Sequence, residues 1–149
     1  PEMKNILVPI DLSSVTNSTV EVAAHFAQGF GAKIWLVHVA APDPDFVGFG
    51  TGPRYVRDQR ADELKKEHAQ IQSIAEGLRS KGISAEALLV QGPTSATIID
   101  EAGRLEADLI VMGSHGHGAI YKAFVGSVSQ QVLGDSTVPV LIIPAKGKE

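Results

Sequence analysis

Five short apolar runs alternate along this chain with stretches whose apolar positions return about every three to four residues. The runs are Ile6 to Ile10, Lys33 to Val39, Ser84 to Val90, Asp108 to Met112 and Val138 to Ile143, and their length and Val/Ile content predict buried strands. Between the first two, Val15, Val22, Ala23, Phe26, Ala27 and Phe30 share one helical stripe, with Ser13 or Ser14 as its cap and Gly31 as its stop. The longest helix runs from about Arg54 to Ser80 and ends near Gly82; it sets Leu64, His68, Ile71, Ala75 and Leu78 on one face and charge on the other. A third starts at Thr94 or Ser95 behind Gly92-Pro93 and carries Ile98, Ile99, Ala102 and Leu105. A fourth starts near Ser127 and ends at Gly134.

Strands alternating with helices predict an α/β fold, a five-stranded parallel sheet with helices on both faces. With right-handed crossovers and the strand order 3-2-1-4-5, the order reverses between the first and fourth strands. Ligands of such sheets gather there, outside the carboxyl ends. The first strand is followed by Asp11 and the fourth by Gly113, so the two most chemical-looking turns of the sequence are expected at one crevice.

The chain has 149 residues, 44% of them hydrophobic, which suits a single domain over 1–149 with a full core. A net charge of -4 argues against a protein that neutralises many phosphates of a nucleic acid. With no cysteine, disulfides, thiolate chemistry and sulfur-bound zinc are excluded. The longest apolar run, Val138 to Pro144, is far below a membrane span, and no basic segment leads into an apolar signal core, so the expected location is the cytoplasm. Ala40 to Pro53 concentrates Pro, Gly and Asp and reads as a mobile loop.

The candidate chemistry lies in Met112-Gly113-Ser114-His115-Gly116, followed after nine residues by Gly126-Ser127. Glycines there let backbone N–H groups approach an anion, and the helix that follows offers further free donors and a favourable dipole. The plain alternative is a surface loop in which Ser127 caps its own helix and Gln130 completes a capping box. Asp11 has two readings as well: an acceptor for a sugar hydroxyl or a base amino group, or the first-turn acid of the helix after it.

Spacing removes several enzyme classes. Gly113 to Gly118 has the two glycines of a P-loop, but Ala119-Ile120 stand where Lys and Ser/Thr belong. Pro9-Ile10-Asp11-Leu12-Ser13-Ser14 lacks the glycines of a dinucleotide fingerprint. A nucleophile elbow needs glycine two residues before Ser114, where Met112 stands. His115 and His117 lack a further ligand at metal-binding spacing and read as loop histidines that donate to phosphate or solvent. His38, in a strand, and His68, on the helix stripe, read as satisfied core or boundary residues, and His25 has no evident partner.

Four segments in register carry a resemblance: Ile6-Leu7-Val8-Pro9-Ile10-Asp11, Leu36-Val37-His38-Val39, Gly113-x-x-Gly116 with Gly126-Ser127, and Val138-Pro139-Val140-Leu141-Ile142-Ile143. Together they resemble the universal stress protein family over essentially the whole chain. The resemblance implies the ATP-binding branch of that family and a homodimer paired through the last strand. It sets Pro9, Ile10 and Asp11 against the adenosine and Val39 beside the adenine through backbone groups. Met112 and Gly113 would flank the ribose, and Gly116, Gly126, Ser127 and Val128 would meet the phosphates, with Ser129 a weaker candidate. His115 stands where relatives commonly carry Arg, which leaves Lys122 as the nearby permanent cation and favours a phosphate-bound Mg²⁺.

Val138 to Ile143 is apolar after Pro139 and expected at a sheet edge, where unpaired N–H and C=O groups invite association. Pairing with a symmetric copy removes that liability. The leading expectation is an ATP-binding stress-response regulator whose hydrolysis is absent or slow. Alternatives are a phosphohydrolase or phosphotransferase using Asp11, His115 or His117 as acid or base, and a module that binds a protein partner without nucleotide.

Overall fold

The computed structural model describes residues 2–40, 54–114 and 125–144. In chain order these form β1 (Asn5–Pro9), α1 (Thr16–Phe30), β2 (Lys33–Ala40), α2 (Arg54–Ser80), β3 (Ala85–Gln91), α3 (Thr94–Arg104), β4 (Leu109–Gly113), α4 (Ser127–Asp135) and β5 (Val140–Ile143). The strands make one sheet in the expected order β3-β2-β1-β4-β5, every neighbouring pair parallel. The predicted loop after Ala40 lies outside the described residues.

The sheet is central because its strands are apolar on both faces. Ile6, Leu7 and Val8 are all fully buried, since successive side chains of one strand enter opposite cores. Ile6 and Val8 pack with Ile34, Leu36 and Val111 against α1 and α2, while Leu7 joins Val37 and Ile110 against α3 and α4. On α1 the buried stripe is carried by Ala23, Ala24 and Ala27, whose small side chains let the helix lie close to the sheet. Phe30, the predicted end of that stripe, is exposed instead and stacks on Phe26. The stop at Gly31 stands, with the left-handed φ of +67° that glycine adopts without strain.

Several local expectations are corrected. The cap of α1 is Val15, with no side-chain cap bond, rather than Ser13 or Ser14. Leu12 has a φ of +62° and turns the chain so that the Ser13 carbonyl, not its hydroxyl, accepts the Thr16 N–H. On α2 the stripe follows Ile71, Ala75 and Leu78, but His68 is exposed and Glu67 takes the inward place. Helix α4 runs one residue past Gly134 to Asp135. Strand β5 begins at Val140, not Val138: Val138 gives its N–H to the Ser136 hydroxyl, and Pro139 contributes only its carbonyl, to the Ile110 N–H.

Asp108 does not start β4 but ties it to β1. Its carboxylate accepts the N–H groups of Lys4 and Asn5 at 2.8 and 2.9 Å. The Asn5 bond, then the Lys4 bond, hold the Asp108 carboxyl below its ordinary value of 3.8. Because the folded-state value is the lower one, the stabilisation is whole above the ordinary value and disappears as pH falls through the folded value. Asp108→Ala is expected to cost about 1 kcal/mol at neutral pH. In urea titrations the gap between wild type and variant should close as pH drops below 3.8. A gap that is constant down to acid pH would show that the charge is irrelevant to this joint.

Candidate functional site

Between the carboxyl ends of β1 and β4 the connections leave on opposite faces of the sheet, and the space between them is a cavity of about 400 Å³. Its first wall is the turn after β1. Ile10 is fastened twice to β2, its N–H donating to the Val37 carbonyl at 2.9 Å and its carbonyl accepting from His38 Nδ1 at 2.8 Å. Asp11 Oδ1 accepts the Ser13 N–H at 3.0 Å, closing an Asx turn around the left-handed Leu12. A non-glycine residue in that conformation carries roughly 1–2 kcal/mol of strain, so the turn is held by its bonds rather than by local preference. The first-turn-acid reading of Asp11 fails, because α1 starts only at Thr16 and has no acid in its first turn.

The second wall is the return from β4 to α4. The Gly126 N–H donates to the Ser114 carbonyl at 2.6 Å, and Ser129 Oγ donates to the Gly113 carbonyl at 2.8 Å. The Ser114 N–H in turn donates to Ile143 at 2.8 Å, which fastens the loop root to β5. Helix α4 is therefore aimed with its first turn at the cavity. Its cap is Gly126, in extended conformation and with no side-chain cap bond, so that among the described residues no capping side chain occupies the opening N–H groups of the helix.

The Ser127–Gln130 capping box is thereby corrected. Ser127 is the first helical residue and is exposed, and Gln130 Nε2 donates instead to the Val125 carbonyl at 2.9 Å. With the Gly126 N–H already bound to Ser114, the helix begins one residue too early for the box. Ser129 lines the cavity, but its hydroxyl is engaged with the Gly113 carbonyl.

Ten of the residues expected from sequence line this one cavity: Pro9, Ile10 and Asp11 at the β1 end, Val39 at the β2 end, Met112 and Gly113 at the β4 end, and Gly126, Ser127, Val128 and Ser129 at the α4 end. His115 and Gly116 lie outside the described residues, as do His117 and Lys122. Sequence reasoning missed the floor: Thr16 and Thr19 from α1, and Thr94 and Ile98 from α3. Its signal was available, since Thr16 and Thr19 stand three apart on the side of α1 that carries the apolar stripe. Both are buried; Thr19 Oγ1 bonds the Val15 carbonyl, whereas Thr16 Oγ1 has no hydrogen-bond partner among the described residues.

Chemically the cavity is apolar on its flanks and rich in backbone donors at one end. Asp11 is the one ionisable side chain among the described lining residues. No three His, Asp or Glu side chains gather into a metal-binding group among the described residues. Nor is any described helix long and apolar enough to cross a membrane.

The profile of the universal stress protein family matches residues 2–144. A universal stress protein of Thermus aquaticus is 36% identical, the match covering 94% of this chain and 98% of that one. Among solved structures, the universal stress protein UspA from Lactobacillus plantarum superposes with a TM-score of 0.80 at 21% identity, over 96% of this chain and 99% of its own. A universal stress protein from Archaeoglobus fulgidus, solved in complex with dAMP, superposes with a TM-score of 0.66 at 20% identity, over 94% and 97%. The two superpositions speak for the fold, and their five-stranded parallel architecture is the one described above. The match to the family profile over nearly its full length, with the Thermus aquaticus relative, shows that this chain belongs to the universal stress protein family.

Proposed function

We propose that this protein binds an adenine nucleotide, ATP with Mg²⁺, in the crevice between β1 and β4, and that it acts as a regulator rather than as a catalyst of turnover. The observation that carries the reading is the convergence of ten sequence-predicted residues on one cavity, with the uncapped first turn of α4 opening into it. Free N–H groups and the positive end of a helix dipole hold phosphate without lysine. The dAMP bound by the Archaeoglobus fulgidus protein supports an adenine nucleotide as the class of ligand.

In this reading Pro9, Ile10 and Asp11 lie against the adenosine, and Val39 offers backbone groups to the base. Met112 and Gly113 flank the ribose. Gly126, Ser127, Val128 and Ser129, with His115 and Gly116 from the glycine-rich segment, meet the phosphates. A volume of about 400 Å³ is in the range of small-molecule and cofactor sites. The phosphate end has no permanent cation among the described lining residues, which makes Mg²⁺ the natural charge partner of a triphosphate. Asp11, the single carboxylate of the described lining, is already fixed in an Asx turn, an arrangement suited to accepting a bond from a hydroxyl rather than to shuttling protons.

The same reading places the protein in the cytoplasm as a homodimer. Strand β5 is at the sheet edge, bonded to β4 on one side, and Val140, Leu141 and Ile142 are only half-buried. A two-fold copy pairing there would cover them.

Native mass spectrometry of untreated protein should show two copies with retained adenine nucleotide, and calorimetry should show ATP binding to stripped protein. A monomer with no heat signal on adding ATP would reject the proposal in both parts. Asp11→Ala is expected to weaken ATP binding about ten-fold by loss of a charge-assisted bond to the sugar or base. An unchanged dissociation constant would remove Asp11 from the site.

A further inference from the structure

The first wall of the cavity is connected to α2 by a relay that the nucleotide reading does not use. His38 is buried on β2, with Nδ1 2.8 Å from the Ile10 carbonyl and Nε2 2.7 Å from Glu67 Oε2. A carbonyl only accepts, so Nδ1 carries a hydrogen. The contact at Nε2 then requires one more proton between the ring and the carboxyl. It sits either on Nε2, giving imidazolium and carboxylate, or on Oε2, giving neutral ring and carboxylic acid. With that proton gone, a ring lone pair and a carboxylate oxygen face each other at 2.7 Å, and the contact cannot hold.

The charged groups placed beside the pair among the described residues come from α2. From α2, Arg60 Nη1 lies 4.0 Å from Glu67 Oε1 and 3.4 Å from Glu63 Oε2. From β1 the nearest ionisable residue along the chain is Asp11, one position beyond the bonded carbonyl, and β3 sets Leu89 beside His38. The relay thus begins at Glu67 on the long helix and ends one peptide unit from the proposed adenosine contact Asp11. Ile10 is buried in the core and Leu12 packs against it, while the backbone bonds of the turn among the described residues are those of Ile10 to Val37 and of Ser13 to Asp11.

We infer that His38 is a positioning residue for the nucleotide site: bonded to Glu67 on one side and to Ile10 on the other, it holds the Ile10–Asp11 turn in its binding conformation, so that nucleotide affinity depends on both ring contacts and on the seating of α2. This rests on the proposed nucleotide site. Where either contact of the ring is removed, the ring loses an anchor and the turn loosens, so that nucleotide affinity falls.

Three variants separate the two ends of the relay. His38→Gln keeps a donor toward Glu67 and removes the one toward Ile10. His38→Asn does the reverse. Glu67→Gln donates an amide hydrogen to Nε2 without needing the shared proton. ATP affinities measured by calorimetry should fall about ten-fold in His38→Gln, and less in His38→Asn. Glu67→Gln, whose amide restores the Nε2 contact, should bind ATP within about two-fold of wild type. Glu67→Gln weakening ATP binding as much as His38→Gln does, or His38→Gln binding ATP like wild type, overturns the inference. If the wild type binds no nucleotide, the proposed function fails, and the relay is judged alone by hydrogen exchange at the Ser13 amide in ligand-free protein. Faster exchange in His38→Gln than in His38→Asn supports it, and equal exchange in the two refutes it.

Discussion

Gly126→Val is expected to abolish measurable ATP binding while leaving helical content unchanged. The residue is the cap of α4, with φ of -63° and ψ of 163°, an extended conformation that valine adopts without strain. Its N–H is committed to the Ser114 carbonyl, a bond that valine can also make. What changes is the volume in front of the first turn, where the proposed phosphates meet the N–H groups of Ser127, Val128 and Ser129. A branched side chain there keeps an anion from reaching donors whose bonds weaken steeply beyond about 3.2 Å. A loss of a hundred-fold or more, about 3 kcal/mol, is expected. Circular dichroism and calorimetry on the same sample decide the matter. Wild-type affinity in a folded Gly126→Val protein would place the phosphates elsewhere, and with them the proposed site.

That prediction could be framed from sequence because the residues concerned are of the legible kind. Ile6 to Ile10 and Asp108 to Met112 announce two buried strands by composition, and the rule that order reverses between them brings Asp11 and Gly113 together. Both turns do line one cavity. The errors arise where tertiary contacts outrank local preference. Ser13 looks like a cap, yet Leu12 at +62° redirects the chain, and no sequence rule assigns that angle to leucine. Residues three and four before Ile71 both border its helical face, and pattern alone chose His68; the contact with buried His38 draws in Glu67 instead. Ser127 and Gln130 fit a capping box, but the Gly126–Ser114 bond sets the helix start one residue earlier. Thr16 and Thr19 carried a signal in their place on the apolar side of α1, but spacing alone does not say which cavity such residues border. His115 and Gly116 lie outside the described residues, so their part in the site stands on the sequence.

Ile110→Ala should be the most destabilising of the substitutions considered, and it should leave the site's intrinsic affinity nearly intact. Ile110 is fully buried as the second residue of β4, beside Leu7 on β1 and Val140 on β5, in the core that α3 and α4 cover. Truncation removes three carbons and leaves a void between Ile98, Ala102 and Val132, residues of two helices that are themselves anchored to the sheet and can close over it only in part. Loss of transfer energy and the residual cavity together put the cost at roughly 2–5 kcal/mol, a large share of the about 5–15 kcal/mol that holds a domain folded. Urea titration should show a lower midpoint with the same slope, because the surface exposed on unfolding hardly changes. Ile98 is shared by the void and the cavity floor, but the two loop walls lie beyond Met112, fastened by the Gly126–Ser114 and Ser129–Gly113 bonds, which do not involve Ile110. ATP affinity of the folded fraction should therefore stay within about two-fold of wild type. A cost under about 1 kcal/mol would contradict the packing of β4 against α3 and α4. Full stability loss accompanied by a ten-fold drop in affinity would instead show that core and crevice move as one unit, and the two hydrogen bonds at the loop root would then be too weak to define the site alone.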